Sequence, residues 1–232
     1  MKRILIIAAH PDDEILGCGG YIINQVKLGN EVKVLYLSEG VTARFSKKEL
    51  KSSKAITNIK IRKKMAESCA KYLKFEIIDF LDHDNLRMQR LDLLDLVKVI
   101  NNYINKIKPD IILCNHSGDL NTDHRIAFEA TFTALRPFTV KKKFFEFLTY
   151  EVVSSTNWSN KNIGKKFSPN YYLEITKYID IKKKALDFYK KEMRDYPHSR
   201  SWKSILAHHH TRGAEVGLEY AEAFEVIKTI TK

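Results

Sequence analysis

The chain has 232 residues, 44% of them hydrophobic and 29% charged, with a formal net charge of +12. That length supports one large α/β domain with a well-buried core, and the balance is that of a globular protein rather than a disordered or fibrous one. No run approaches the roughly 20 apolar residues of a membrane span, three scattered cysteines (Cys18, Cys69, Cys114) exclude a disulfide framework, and lysines without interleaved aromatics argue against nucleic acid.

The apolar run at the start, "RILIIA" (3–8), reads as a strand buried on both faces of a parallel sheet. It is too short for a secretory leader and runs into acids, so we expect the mature chain to start at Met1 and stay in the cytoplasm. "ILGCGGYIINQVKLGN" reads as a helix closed by Gly29-Asn30, and "EVKVLYLSEG" as a second strand. Residues 55–73 form a lysine-rich amphipathic helix with Ile61, Met65, Cys69 and Tyr72 on one face. "FEIIDFL" is a third strand, "LDLLDLVKVINNYINKIK" a helix stopped by Pro109, and "DIILCNH" a fourth strand. "DHRIAFEATFTALRP" supplies another helix, with Asp123 in its first turn. Beyond Pro137 the rhythm changes: "KFFEFLTYEVVSSTNW" and "NYYLEIT" look like longer strands, followed by a helix near Lys182–Lys191 and a closing "GLEYAEAFEVIKTI" of alternating character. The alternation predicts a single α/β domain over 1–232: a Rossmann-like, mostly parallel sheet with helices on both faces and a strand-rich C-terminal extension.

In open parallel sheets, sites form beyond the carboxyl ends of strands near a topological switch point. "HPDDE" (10–14) follows the first strand and "HSGDLNTDHR" (116–125) the fourth, so the two clusters can converge on one rim. Catalytic zinc takes three protein ligands, such as two histidines and an acid, and keeps one position for water. His10 and Asp13 can face one ion from a single turn, and His124 can complete the set. Asp12 is then left to take a proton from water during attack, as a hydrolase of amides or esters requires. Fe2+ suits the same donors. Gly17, Gly19 and Gly20 fit close backbone packing behind the rim.

"AHPDDE" with "HSGDLNTDHR" resembles the PIG-L/LmbE family of zinc-dependent N-deacetylases. The likeness extends to "SEGVTAR", "DFLDHDNLRM", "TYEVVSSTNW" and "GLEYAEAFEVI". The resemblance implies a Rossmann-like sheet, removal of acetyl from an N-acetylated sugar, His10, Asp13 and His124 as zinc ligands, and Asp12 as general base. Many members carry a histidine three residues before the zinc histidine, where it steadies the oxyanion; this chain has Asn121 there. His116 is our candidate for that role, with Asn121 as a weaker hydrogen-bond donor. Arg44 matches a family position near the substrate, and Trp158 falls in a family-like loop suited to sugar stacking. The closing segments are similar to members of surface-polysaccharide and sugar-modification pathways, which implies an N-acetyl-hexosamine conjugate as partner. The carrier, and whether the chain forms homo-oligomers, stay open.

Other features have plainer readings. Glu14 orients the loop, and Asp123 either caps its helix or steadies the site. "GCGG" lacks dinucleotide-binding spacing. The run "AHHHTR" (207–212) cannot turn three consecutive imidazoles to one ion. His83 and His198 are structural or solvent-facing, Trp202 is a packing anchor, and Asp84 and Arg87 shape the rim. A rival reading is a phospho-receiver module, with Asp12 and Asp13 holding Mg2+ and Asp82 as phosphoacceptor; His10 and His124 speak against it.

Overall fold

The computed structural model describes residues 1–140, 146–160, 162 and 164–230. Strands β1 (Arg3–Ala8), β2 (Glu31–Ser38), β3 (Glu76–His83), β4 (Ile111–Asn115) and β5 (Glu146–Tyr150) pair in parallel. β6 (Tyr171–Glu174) and β7 (Ala221–Thr229) extend the same sheet antiparallel, in the order β3-β2-β1-β4-β5-β7-β6. The sheet is the expected α/β architecture. Its C-terminal extension is two strands and two helices, and the strand expected over 143–158 is shorter, with Thr156–Trp158 forming a 3-10 turn. Residues 141–145, including the lysine run at 141–143, lie outside the described residues.

β1 shows why both sheet faces are covered. Ile4, Ile6 and Ala8 enter one core cluster, while Leu5, Ile7 and Ala9 enter the other, as the two-residue period of a strand demands. Helices α1 (Asp13–Lys27), α2 (Ser53–Leu73), α5 (Ile179–Asp187) and α6 (Trp202–Ala214) cover the first face. Helices α3 (Leu93–Ile107) and α4 (Thr122–Ala134) cover the second. α5 begins and ends earlier than the sequence suggests, and α6 holds the histidine run in a segment left unassigned by pattern alone. The buried face of α2 is also corrected: Ala55, Arg62, Ala66, Cys69, Ala70 and Leu73 are buried, whereas Tyr72 is 38% exposed.

The chain runs from β1 outward through β2 and β3, then returns to β4 on the other side of β1. The switch point therefore lies between β1 and β4, and both predicted clusters leave the carboxyl ends of those strands. Close packing behind this rim accounts for the glycines. A Cβ on Gly17 would meet Tyr150 Cδ2 at 2.2 Å, and one on Gly20 would meet Ile175 Cγ2 at 2.4 Å. Among the described residues no helix is long and apolar enough to cross a membrane.

Candidate metal centre and active site

His10 leaves the end of β1, Asp13 opens α1, and His124 sits in the first turn of α4. All three are buried, and their ligand atoms converge. His124 Nε2 lies 3.3 Å from His10 Nδ1 and 3.2 Å from Asp13 Oδ2, and His10 Nδ1 lies 3.3 Å from the same oxygen. Tetrahedral ligands about 2.0–2.1 Å from one ion are separated by roughly 3.3–3.4 Å, so this triangle has the edges of a zinc-type face. Asp13 Oδ1 is buried without a hydrogen-bond partner, which leaves the carboxylate capacity for a cation. The donor set fits a divalent metal.

Each imidazole is backed by a carboxylate on its far nitrogen. His10 Nε2 is 3.1 Å from Asp123 Oδ2, and His124 Nδ1 is 3.1 Å from Asp119 Oδ2. Such partners fix the ring's orientation and raise its basicity toward a metal. Asp119 is anchored in turn by Thr156 Oγ1, at 2.6 Å, and by Ser155 Oγ. Asn115, at the end of β4, accepts the Ala9 N–H at 2.9 Å and donates to Asp13 Oδ2 at 3.2 Å, tying the two rim loops together. The site has an excess of negative charge. Burial lowers the basicity of both imidazoles, but the carboxylates outweigh it and push His10 up to about 9 and His124 up to about 10. Burial likewise opposes charge on Asp13, yet His124 and His10 hold its carboxyl well below the ordinary range. A divalent cation answers the same excess.

Asp12 is 2% exposed and adopts φ 128°, a backbone conformation rare for any residue with a side chain. Glu14 holds that turn by accepting the Asp12 N–H at 3.0 Å, while Tyr189 donates to Glu14 at 2.7 Å. The Asp12 carboxylate is clamped through one oxygen: Oδ2 lies 3.2 Å from Arg62 Nη1 and 3.0 Å from Arg200 Nη1. Glu192 ion-pairs with Arg62 and Arg44. Burial raises the Asp12 pKa, and Arg200 and Arg62 act against that rise. Sequence reasoning missed these partners. Arg62 looks like one more cation in "IKIRKK", and Arg200 sits in a loop with no motif; only Asp119 stood in a quoted cluster.

The remaining candidates fall in different places. His116 is buried with Nε2 2.8 Å from the Lys165 carbonyl and Nδ1 3.1 Å from Glu225 Oε2, so both ring nitrogens face protein oxygens. Asn121 caps α4 by accepting the Asp123 N–H at 2.9 Å. Arg44 pairs with Glu192, and Trp158 is half exposed against His198. Asp123 accepts the Leu86 and Met88 N–H groups at 2.6 and 3.2 Å, so it joins the 84–88 loop to the His10 ring as well as opening α4. Arg87 braces that loop against the Thr42 and Phe45 carbonyls. Asp82 is exposed and ion-pairs with Lys63, whereas Asp12 and Asp13, the pair a receiver would need beside it, are buried. In the histidine run, His209 is buried against Lys182 while His208 meets Glu151 at 2.9 Å; they point to different partners.

A doubly covered α/β sheet with a buried His-Asp-His triad and an adjoining acid at its switch point defines the class: a hydrolase built for a divalent metal. Residues 5–135 match the PIG-L family (GlcNAc-PI de-N-acetylase), and the chain belongs to that family. The fold is similar to N,N'-diacetylchitobiose deacetylase from Pyrococcus horikoshii, with TM-score 0.76 and 21% identity over 97% of this chain and 84% of that one. It is also similar to GalB, the 4-carboxy-2-hydroxymuconate hydratase from Pseudomonas putida, with TM-score 0.75 and 18% identity over 100% and 98% of the two chains. The zinc-inhibited form of teicoplanin deacetylase Orf2 matches with TM-score 0.71 and 15% identity over 96% of each chain. The phospho-receiver alternative is not supported by the family or by Asp82's position.

Proposed function

We propose that the protein is a zinc-dependent N-deacetylase of an N-acetyl-hexosamine conjugate, releasing acetate and a free amine. The observation that carries the reading is the triangle of His10, Asp13 and His124 ligand atoms with Asp12 beside it, in a chain of a de-N-acetylase family. His10, Asp13 and His124 would hold the ion. When bound, a divalent ion supplies Lewis-acid polarisation of the acetamide carbonyl and acidifies water. Asp12 takes the proton of the attacking water through Oδ1, the oxygen that the arginines leave unbound. As the tetrahedral carbon collapses and the C–N bond breaks, Asp12 returns that proton to the departing nitrogen. Asp119 and Asp123 keep the imidazoles in register throughout. Arg44 and Trp158 are assigned to the sugar or its carrier. Of the two side chains considered for the oxyanion, His116 already has both ring nitrogens facing Lys165 and Glu225, whereas the Asn121 amide nitrogen can still donate.

We take residues 1–232 as one catalytic domain. Three buried free thiols, Cys18, Cys69 and Cys114, support a reducing, cytoplasmic setting, and surface-polysaccharide or glycoconjugate synthesis is the assigned context. The test is a panel of N-acetylated sugar nucleotides and glycosides assayed for free amine, with and without chelator, alongside metal analysis. Amine release that stops with chelation is expected, and the metal recovered distinguishes zinc from iron(II). No release from any member, or hydration of an unsaturated acid as GalB's name describes, would overturn the reading.

A further inference from the structure

A cavity of about 300 Å³ opens between residues 41–45, the first half of α2 and Lys191–Glu192. Its apolar lining is Val41, Phe45, Ile61 and Met65. Arg62 also lines it, and the same guanidinium reaches Asp12 Oδ2 at 3.2 Å and donates to the Pro11 carbonyl at 2.6 Å. The cavity therefore lies one side chain away from the proposed base.

Its charge is uneven. Arg44, Lys54, Arg62 and Lys191 face two acids, Glu49 and Glu192. Glu192 is taken up by Arg44 and Arg62, and Glu49 is bound by the Ser46 hydroxyl and N–H. The ammonium groups of Lys54 and Lys191 form no hydrogen bond or salt bridge among the described residues, and Lys54 acts on Glu49 only through space. Lys54 also stands in the first turn of α2, which carries no acidic residue. A cation there opposes the helix dipole, which favours an anion at that end. Two lysines outside any salt bridge and a helix N-terminus thus border an apolar floor.

We propose that this cavity seats the group to which the acetylated sugar is attached, and that this group is a phosphate ester with a compact aromatic body, a nucleotide-type carrier. The two lysines meet the phosphate oxygens, and the Phe45 ring and Met65 thioether meet the flat aromatic face. At about 300 Å³ the cavity is at the small end of ligand pockets, which suits a phosphate and one ring system rather than a long lipid chain. The proposal rests on the deacetylase reading for what occupies the metal rim, but binding in the cavity requires no turnover.

Titration calorimetry on the full, metal-loaded chain tests it with four probes: UDP, uridine, inorganic phosphate and phosphatidylinositol vesicles. UDP is expected to bind at least about tenfold more tightly than phosphate or uridine, and more tightly than the vesicles. Lys54→Ala/Lys191→Ala, and Lys54→Glu alone, should each weaken UDP by about tenfold or more, with the thermal midpoint and metal content as controls on folding. UDP affinity untouched by both variants, or lost only in His124→Ala, would place the phosphates elsewhere and overturn the proposal; so would tighter binding of the vesicles. Lysine-dependent UDP binding without amine release from any substrate keeps the cavity's role and overturns the deacetylase reading. Amine release without lysine-dependent UDP binding does the converse.

Discussion

Asp12 sits in a left-handed turn directly before the metal-ligand candidate Asp13. Its φ of 128° costs about 1–3 kcal/mol, and the turn persists because Glu14, Arg62 and Arg200 hold it from three sides. Asp12→Asn should retain the metal and lose turnover by about 10²–10⁴-fold, since the amide cannot take a proton; wild-type turnover would remove Asp12 from the mechanism. Asp119→Ala leaves the His124 ring without its carboxylate and should weaken metal affinity by about 10–100-fold, read by competition with a chelating dye. Glu192 makes a pH prediction. Burial would raise its pKa, but Arg44 and Arg62 hold it down from 4.5 to about 2. A depressed carboxyl stabilises the fold above its unfolded pKa and loses that contribution as pH falls toward the folded one. The unfolding midpoints of wild type and Glu192→Gln should therefore differ most above pH 4.5 and converge as pH drops toward about 2; a constant difference across that range would contradict the ion-pair assignment.

At the scale of elements, α1 carries the tightest constraint. It departs from helical geometry at Cys18, and Glu222 of β7 meets the resumed helix by accepting the Gly20 and Tyr21 N–H groups at 2.6 and 2.7 Å. Lys182 of α5, fully buried, bonds Glu222 at 2.7 Å, His209 Nε2 at 2.9 Å and the Leu16 carbonyl at 3.2 Å. Glu222→Gln strips the charge partner from a buried ammonium and should lower stability by about 3–5 kcal/mol in denaturant unfolding. Gly17→Ala should cost about 1–3 kcal/mol, because the Glu151 carbonyl stands 2.9 Å from the new Cβ and cannot swing away. This network also explains what the sequence could not disclose. β1, β2 and β4 are legible as short apolar runs and α3 as an amphipathic stripe, while α4 is marked by Asn121 and Asp123 at its start and Pro137 past its end. α6 is not legible: its "AHHHTRGA" reads as polar, and only the fold turns His209 inward to Lys182 and His208 toward Glu151. The sequence overextends β5, because "VVSSTNW" keeps strand-like residues after the chain has turned to anchor Asp119.

For the whole molecule, the switch point between β1 and β4 does the positioning. It lets clusters more than a hundred residues apart meet with Asn115 as their tie. The ligand triad could be read from sequence because strand ends in a parallel sheet are predictable. The arginine clamp on Asp12 could not, because α2 and the 194–201 loop reach the rim only through tertiary packing. His10, Asp13 and His124 are proposed to share one ion. X-ray absorption on the zinc-loaded protein reads that coordination sphere. One zinc per chain is expected, with two imidazole nitrogens and oxygen for the rest at about 2.0–2.1 Å, and loss of that signal in His124→Ala. A sulfur shell, or a zinc signal unchanged in His124→Ala, would contradict it.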